Sequence, residues 1–170
     1  MMRTDPVHTF EETDSVHTAK DCVFCRILAG ELPAAVVHRD EHCVAILDAF
    51  PLTRGHLLLV SAQHGQHIED LPAPAVAHLF ATAARFSAAL RRHGDSPATA
   101  IVLNNGKAAN QHVPHVHVHV IPRRAGDTPL VVWRYLSRFV NPWSYIGRAQ
   151  RLEQQAQVWR GMLQDASRGA

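Results

Sequence analysis

Three histidines alternate with valines in His115-Val116-His117-Val118-His119-Val120, and this period of two constrains the fold more than any other stretch. In an extended strand, residues i, i+2 and i+4 share one face. The alternation therefore predicts a strand over 115–121, with three imidazoles on one side and Val116, Val118 and Val120 on the other. Valine suits a pleated, half-buried surface, so local preference agrees with the pattern. A row of imidazoles can bind a metal, attack phosphorus or shuttle protons near neutral pH. The flanks favour such a site over incidental core histidines. Upstream, 104–114 is a polar, turn-rich loop, and downstream Pro122, Arg123 and Arg124 are read as ending the strand.

Breakers and periodicity organise the rest. Asp21 is placed to cap a short helix over 22–29, stopped by Gly30 and closed off by Pro33. Residues 35–39 and 43–47 read as strands separated by Asp40-Glu41-His42, and 56–60 as a third. From 75 to 93, Val76, Leu79, Phe80, Ala83, Phe86, Ala89 and Leu90 recur at helical spacing, with Ala81, Ala84 and Ala88 nearer a second stripe. Residues 99–103 supply a further strand. These elements make an α+β domain over 21–124, with an antiparallel sheet of about five strands, one long helix and a short amino-terminal helix.

Around this core, 1–20 reads as a flexible polar extension and 125–170 as a carboxy-terminal extension. Within the latter, 128–146 is apolar, with Trp133, Tyr135, Phe139, Trp143 and Tyr145 read as packing against the sheet or a partner subunit. Residues 150–168 read as an amphipathic helix with Leu152, Ala156, Trp159 and Leu163 on one stripe.

Apolar content of 46% and charge of 19% over 170 residues are globular values. A net charge of +2 gives no basis for a nucleic-acid stripe or an acidic partner. No apolar run approaches the ~20 residues of a membrane span, and the first residues lack the apolar core of a signal peptide, so a cytoplasmic protein is expected. Three cysteines then argue against a disulfide framework. Cys22 and Cys25 form a C-x-x-C, a spacing suited to zinc but shared with redox sites and chance. Cys43, alone in a strand, reads as a small buried side chain.

Together, three blocks resemble the histidine triad (HIT) family of nucleotide hydrolases and transferases. They are 22–33 (C-V-F-C-R-I-L-A-G-E-L-P), Leu47-Asp48 to Pro51 with Gly55-His56 to Val60, and Asn104 through Gln111 into the alternating histidines. The resemblance implies that His117 is a nucleophile attacking an α-phosphate and becoming nucleotidylated. It implies that His119 holds a phosphate oxygen and that His56 orients His117. It further implies that Asp48 accepts bonds from the ribose hydroxyls and that Phe24, Ile27 and Leu47 wall the base. Asn104, Asn110, Gln111 and His112 fall where the family contacts phosphate and reacting centre. Asn110 stands in place of the usual glycine and His112 in place of serine or threonine, which leaves leaving-group selectivity open; asparagine tolerates the positive φ such a turn needs.

For some bacterial members the resemblance also implies a structural zinc, here on Cys22, Cys25, His64 and His115. It implies a homodimer acting on purine nucleotides such as AMP-containing compounds. Two other classes stay open beside the nucleotidyl hydrolase or transferase. One is a zinc hydrolase using His115, His117 and His119 as ligands of an activated water. The other is a nucleotide-binding module with little turnover.

Overall fold

The computed structural model describes residues 21–94, 96–137 and 147–168. Helix α1 (Val23–Leu28) precedes strands β1 (Val36–Arg39), β2 (Cys43–Leu47) and β3 (Leu57–Ser61). The long helix α2 (Ala73–His93) follows, then β4 (Ala98–Leu103), β5 (His117–Arg123), α3 (Thr128–Ser137) and α4 (Arg148–Arg168). The strands form one antiparallel sheet in the order β1-β2-β3-β5-β4, the expected α+β architecture.

Strands β2 and β3 are apolar except for Ser61 because both of their faces are covered. Cys43, Ala45, Leu47, Leu57 and Leu59 join α2 and α4 in one core. Their neighbours Val44, Ile46, Leu58 and Val60 point the other way, to Cys22 and Phe24. In β5, Val118 and Val120 belong to the first core. His117 lies opposite Val60 and His119 opposite Leu58, which puts both imidazoles on the α1 side.

Helix α2 buries Leu79, Thr82, Ala83, Phe86, Ala89 and Leu90. Each fully buried large side chain contributes about 1.5–3 kcal/mol. Phe80, read as part of that stripe, is 40% exposed; it lies a quarter-turn from Leu79, and Thr82 takes the inward position. The helix starts two residues before the expected boundary because Pro74 is tolerated in a first turn.

Helix α4 completes the same core. Ala156 and Trp159 are buried, Leu152 and Leu163 pack beside them, and Phe86 and Trp159 meet with ring centroids 5.5 Å apart. Trp159 Nε1 donates to the Gly55 carbonyl at 3.1 Å. Gly55 has φ +83°, and a Cβ there would stand 3.2 Å from that indole nitrogen, so both conformation and space require glycine. On edge strand β1, Arg160 Nε donates to the Val36 carbonyl at 3.0 Å, filling an acceptor that no strand pairs. The other edge, β4, leaves Ile101 and Val102 exposed.

Several local expectations change. The residue that caps α1 is Cys22, not Asp21, and its side chain makes no capping bond, being turned toward His115. β5 begins at His117, so His115 and Val116 lie outside the strand. Pro122 does not end β5, which runs to Arg123; β3 pairs only as far as Val120, and Pro122 sits where β5 borders β4 alone. Of the apolar segment 128–146, α3 has no buried residue and Trp133 is 67% exposed, so this part does not pack on the sheet. Phe139, Trp143 and Tyr145, like residues 1–20, lie outside the described residues. Among the described residues, no helix is long and apolar enough to cross a membrane.

Candidate active site and metal centre

The three alternating histidines do not act as one row. His115 is fully buried just before β5. Its Nε2 lies 2.9 Å from the Ser61 carbonyl. A carbonyl only accepts, so Nε2 carries the proton and Nδ1 keeps its lone pair. That lone pair faces Cys22 Sγ at 3.4 Å, Cys25 Sγ at 3.5 Å and His64 Nδ1 at 3.3 Å, while Cys25 Sγ lies 3.3 Å from His64 Nδ1. Bond lengths for tetrahedral zinc require donor separations of about 3.3–3.8 Å, so these four atoms fit that ion. Burial, the largest cause, pushes the His115 pKa down to about 4, which keeps the ring in its ligating neutral form. The Ser61 carbonyl is the kind of outer partner that fixes a ligand's tautomer.

His117 has a different partner. Its Nδ1 donates to the His115 carbonyl at 2.7 Å, leaving the Nε2 lone pair available. Burial lowers the His117 pKa, and so favours the neutral, nucleophilic ring. Phe24 packs edge-on against it with centroids 5.0 Å apart. His56, expected to orient His117, instead contacts His119: its Nε2 is 3.0 Å from His119 Nδ1. The backbone carbonyl of His115 does the orienting.

His56 uses its two ring nitrogens on opposite neighbours, with Nδ1 3.2 Å from Asp48 Oδ2 and 3.3 Å from the Leu52 amide that donates to it. Neutral His56 keeps its Nδ1 lone pair for the Leu52 amide, with the Asp48 carboxylate lying alongside, and its Nε2 reaches His119. When His56 donates from Nε2, His119 accepts at Nδ1 and presents Nε2–H as a donor. Asp48 is anchored in turn, its Oδ1 accepting from the Phe50 amide at 2.8 Å.

The loop before β5 is held by its own amides. Gln111 accepts from the Gly106 amide at 2.6 Å and donates to the Gln66 carbonyl at 2.7 Å. Asn104 donates to the Asn110 carbonyl at 3.3 Å. Asn110 adopts φ +65°, so asparagine does sustain the turn in glycine's place. His112 is exposed at the mouth of this loop, and its charge disfavours protonation of His117.

Ile27 packs at the edge of the apolar cluster that includes Phe24. Leu47 does not join them; it lies in the opposite core, beneath α2 and α4. Ile46 takes that position, with Leu58 and Val60 beside it under the histidines. Strand alternation held the signal for Ile46, two residues before Asp48. Ser61 carried no sequence signal, because its backbone rather than its side chain does the work.

The chain belongs to the HIT domain family, whose model matches residues 29–126. An uncharacterized HIT-like protein of Mycobacterium tuberculosis is 45% identical over 106 residues, covering 62% of this chain and 74% of that protein. An adenosine 5'-monophosphoramidase of Saccharomyces cerevisiae is 32% identical over 65% of this chain and 68% of its own length. The crystal structure of a zinc-bound histidine triad family protein from Mycobacterium smegmatis superposes with a TM-score of 0.74 at 33% identity. It covers 90% of this chain and all of that one.

Proposed function

We propose that the chain is a nucleotidyl hydrolase or transferase acting at the α-phosphate of a dinucleoside polyphosphate or nucleoside phosphoramidate. The observation that carries this reading is the bond from His117 Nδ1 to the His115 carbonyl, which leaves Nε2 as a neutral nucleophile. Nε2 forms a bond to the α-phosphorus as the bond to the leaving group breaks. Water, or another acceptor, then displaces His117 and releases the nucleoside monophosphate. His119, supported by His56 and Asp48, donates to a phosphate oxygen as charge develops there. Phe24, Ile27 and Ile46 border the base, and the Asp48 carboxylate takes the ribose hydroxyls. The relative named as an adenosine 5'-monophosphoramidase supports an AMP-containing substrate.

The three-histidine zinc hydrolase finds no support in this geometry. The bare nitrogen of His115 faces Cys22, Cys25 and His64, and Nδ1 of His117 is bound to a carbonyl, so the three rings share no centre. Zinc at Cys22, Cys25, His64 and His115 would be structural, holding α1 against the start of β5 and fixing the carbonyl that orients His117. The exposed β4 edge, with Phe80 and the outward alanines of α2, suits pairing with a second copy in a homodimer.

Substitution His117→Ala should lower turnover more than about 10⁴-fold while nucleotide affinity stays within about tenfold. Mass spectrometry should trap a nucleotidyl adduct on the wild-type protein only. Turnover retained in the variant would overturn the covalent route. Purified protein should carry about one tightly held zinc at this site, and Cys22→Ser should lose metal and thermal stability together. Metal content unchanged in that variant would remove zinc from the site.

A further inference from the structure

On the opposite side of the sheet from Cys22, a second set of metal-ligating groups gathers where the β1–β2 turn meets α2. Asp40 organises it. Its Oδ1 accepts from the backbone amides of His42 and Cys43, at 2.9 and 2.8 Å, which fixes the carboxylate. Its Oδ2 is left facing inward, 2.9 Å from His38 Nε2, 3.0 Å from His78 Nε2 and 3.9 Å from Cys43 Sγ. One donor atom each from Asp40, Cys43 and His78 all lie within 4.8 Å of one another. The His42 ring packs on His78 with centroids 4.6 Å apart and steadies it.

Hydrogen bonding leaves one contact of this cluster in conflict. His38 Nε2 lies between Asp40 Oδ2, which needs a proton from it, and Arg85 Nη2 at 3.2 Å, which needs its lone pair. One nitrogen cannot serve both. A cation on Asp40 Oδ2 would resolve the conflict, releasing His38 to accept from Arg85.

We propose that Asp40, Cys43 and His78 form a second divalent-metal site, distinct from the Cys22–Cys25–His64–His115 centre. The donor set is one carboxylate oxygen, one thiolate and one imidazole, which suits zinc or cobalt rather than calcium or magnesium, whose ligands are oxygens. Three protein ligands leave a fourth position for solvent. Such an ion would tie α2 to the β1–β2 turn from the core outward, since Cys43 is fully buried and His78 is half-exposed.

The test is zinc content per full-length chain after equilibrium dialysis at micromolar free zinc, with circular dichroism to confirm folding. His78→Gln should hold about one zinc fewer than wild type, and Asp40→Asn should weaken that ion at least tenfold while its Oδ1 still caps the turn. His38→Gln and the exposed His93→Gln should retain the wild-type count. Loaded with cobalt, the double variant Cys22→Ser/Cys25→Ser should still show a sulfur-to-cobalt charge-transfer band, and adding Cys43→Ser to it should remove that band. A drop of one ion in His78→Gln supports the site whatever the total, so failure of the Cys22 centre reads differently. Zinc content equal in His78→Gln and wild type, or reduced equally in His93→Gln, would overturn it.

Discussion

On the side of α2 and α4, the sheet offers Val118 and Val120 to a dry core with Phe86 and Trp159; on the side of α1, the intervening residues of the same strand are His117 and His119. One pleat separates them. In the core beneath α4, the Trp159 indole nitrogen is satisfied by the Gly55 carbonyl. On the histidine face, His115 Nε2 and His117 Nδ1 each meet a backbone carbonyl, and His119 Nδ1 meets His56. Rigidity on the first face positions the second, so stability and chemistry should separate by face when residues are removed.

The largest separation is expected from Phe86→Ala, which empties a fully buried ring position and should cost about 3–5 kcal/mol of unfolding free energy. Turnover per folded molecule should change little, as measured by denaturation alongside activity corrected for folded fraction. A proportionate loss of intrinsic activity would break the comparison. His119→Gln should do the converse. Turnover should fall about 100-fold, equivalent to about 2.7 kcal/mol of transition-state stabilisation, because a preorganised donor to phosphate is lost. His119 is only half-buried, so its melting temperature should stay near wild type. A smaller effect is expected from Trp159→Phe, which removes the bond to Gly55 while keeping the aromatic packing and should cost about 1 kcal/mol. No measurable loss there would mean that the indole nitrogen is dispensable and packing alone seats α4.

Much of this was legible in the chain. The apolar runs 43–47 and 57–61 and the helical spacing through Leu79, Ala83, Phe86 and Leu90 report burial directly, since a core-facing residue must be apolar whatever its exact partner. The motif Cys22-x-x-Cys25 and the alternating histidines marked the two centres, and the positive φ of Asn110 matched what asparagine permits.

Other features depend on groups far apart in sequence. Leu47 was placed beside Phe24 by analogy, but strand register turned it to the other core and left Ile46 there. His56 was paired with His117, yet the register of β3 against β5 sets Leu58 opposite His119 and brings the neighbouring His56 ring to His119.

Residue types and their period determined which faces are apolar and which carry imidazoles, because burial and alternation act locally. The family resemblance already set His115 beside Cys22, Cys25 and His64; only the tertiary structure decided which nitrogen each ring keeps bare, Nδ1 for His115 and Nε2 for His117. The physical reason is that each choice rests on a backbone carbonyl, that of Ser61 for one ring and of His115 for the other. Carbonyls are the same at every position, so no side-chain pattern can announce which of them folding will bring within reach of an imidazole.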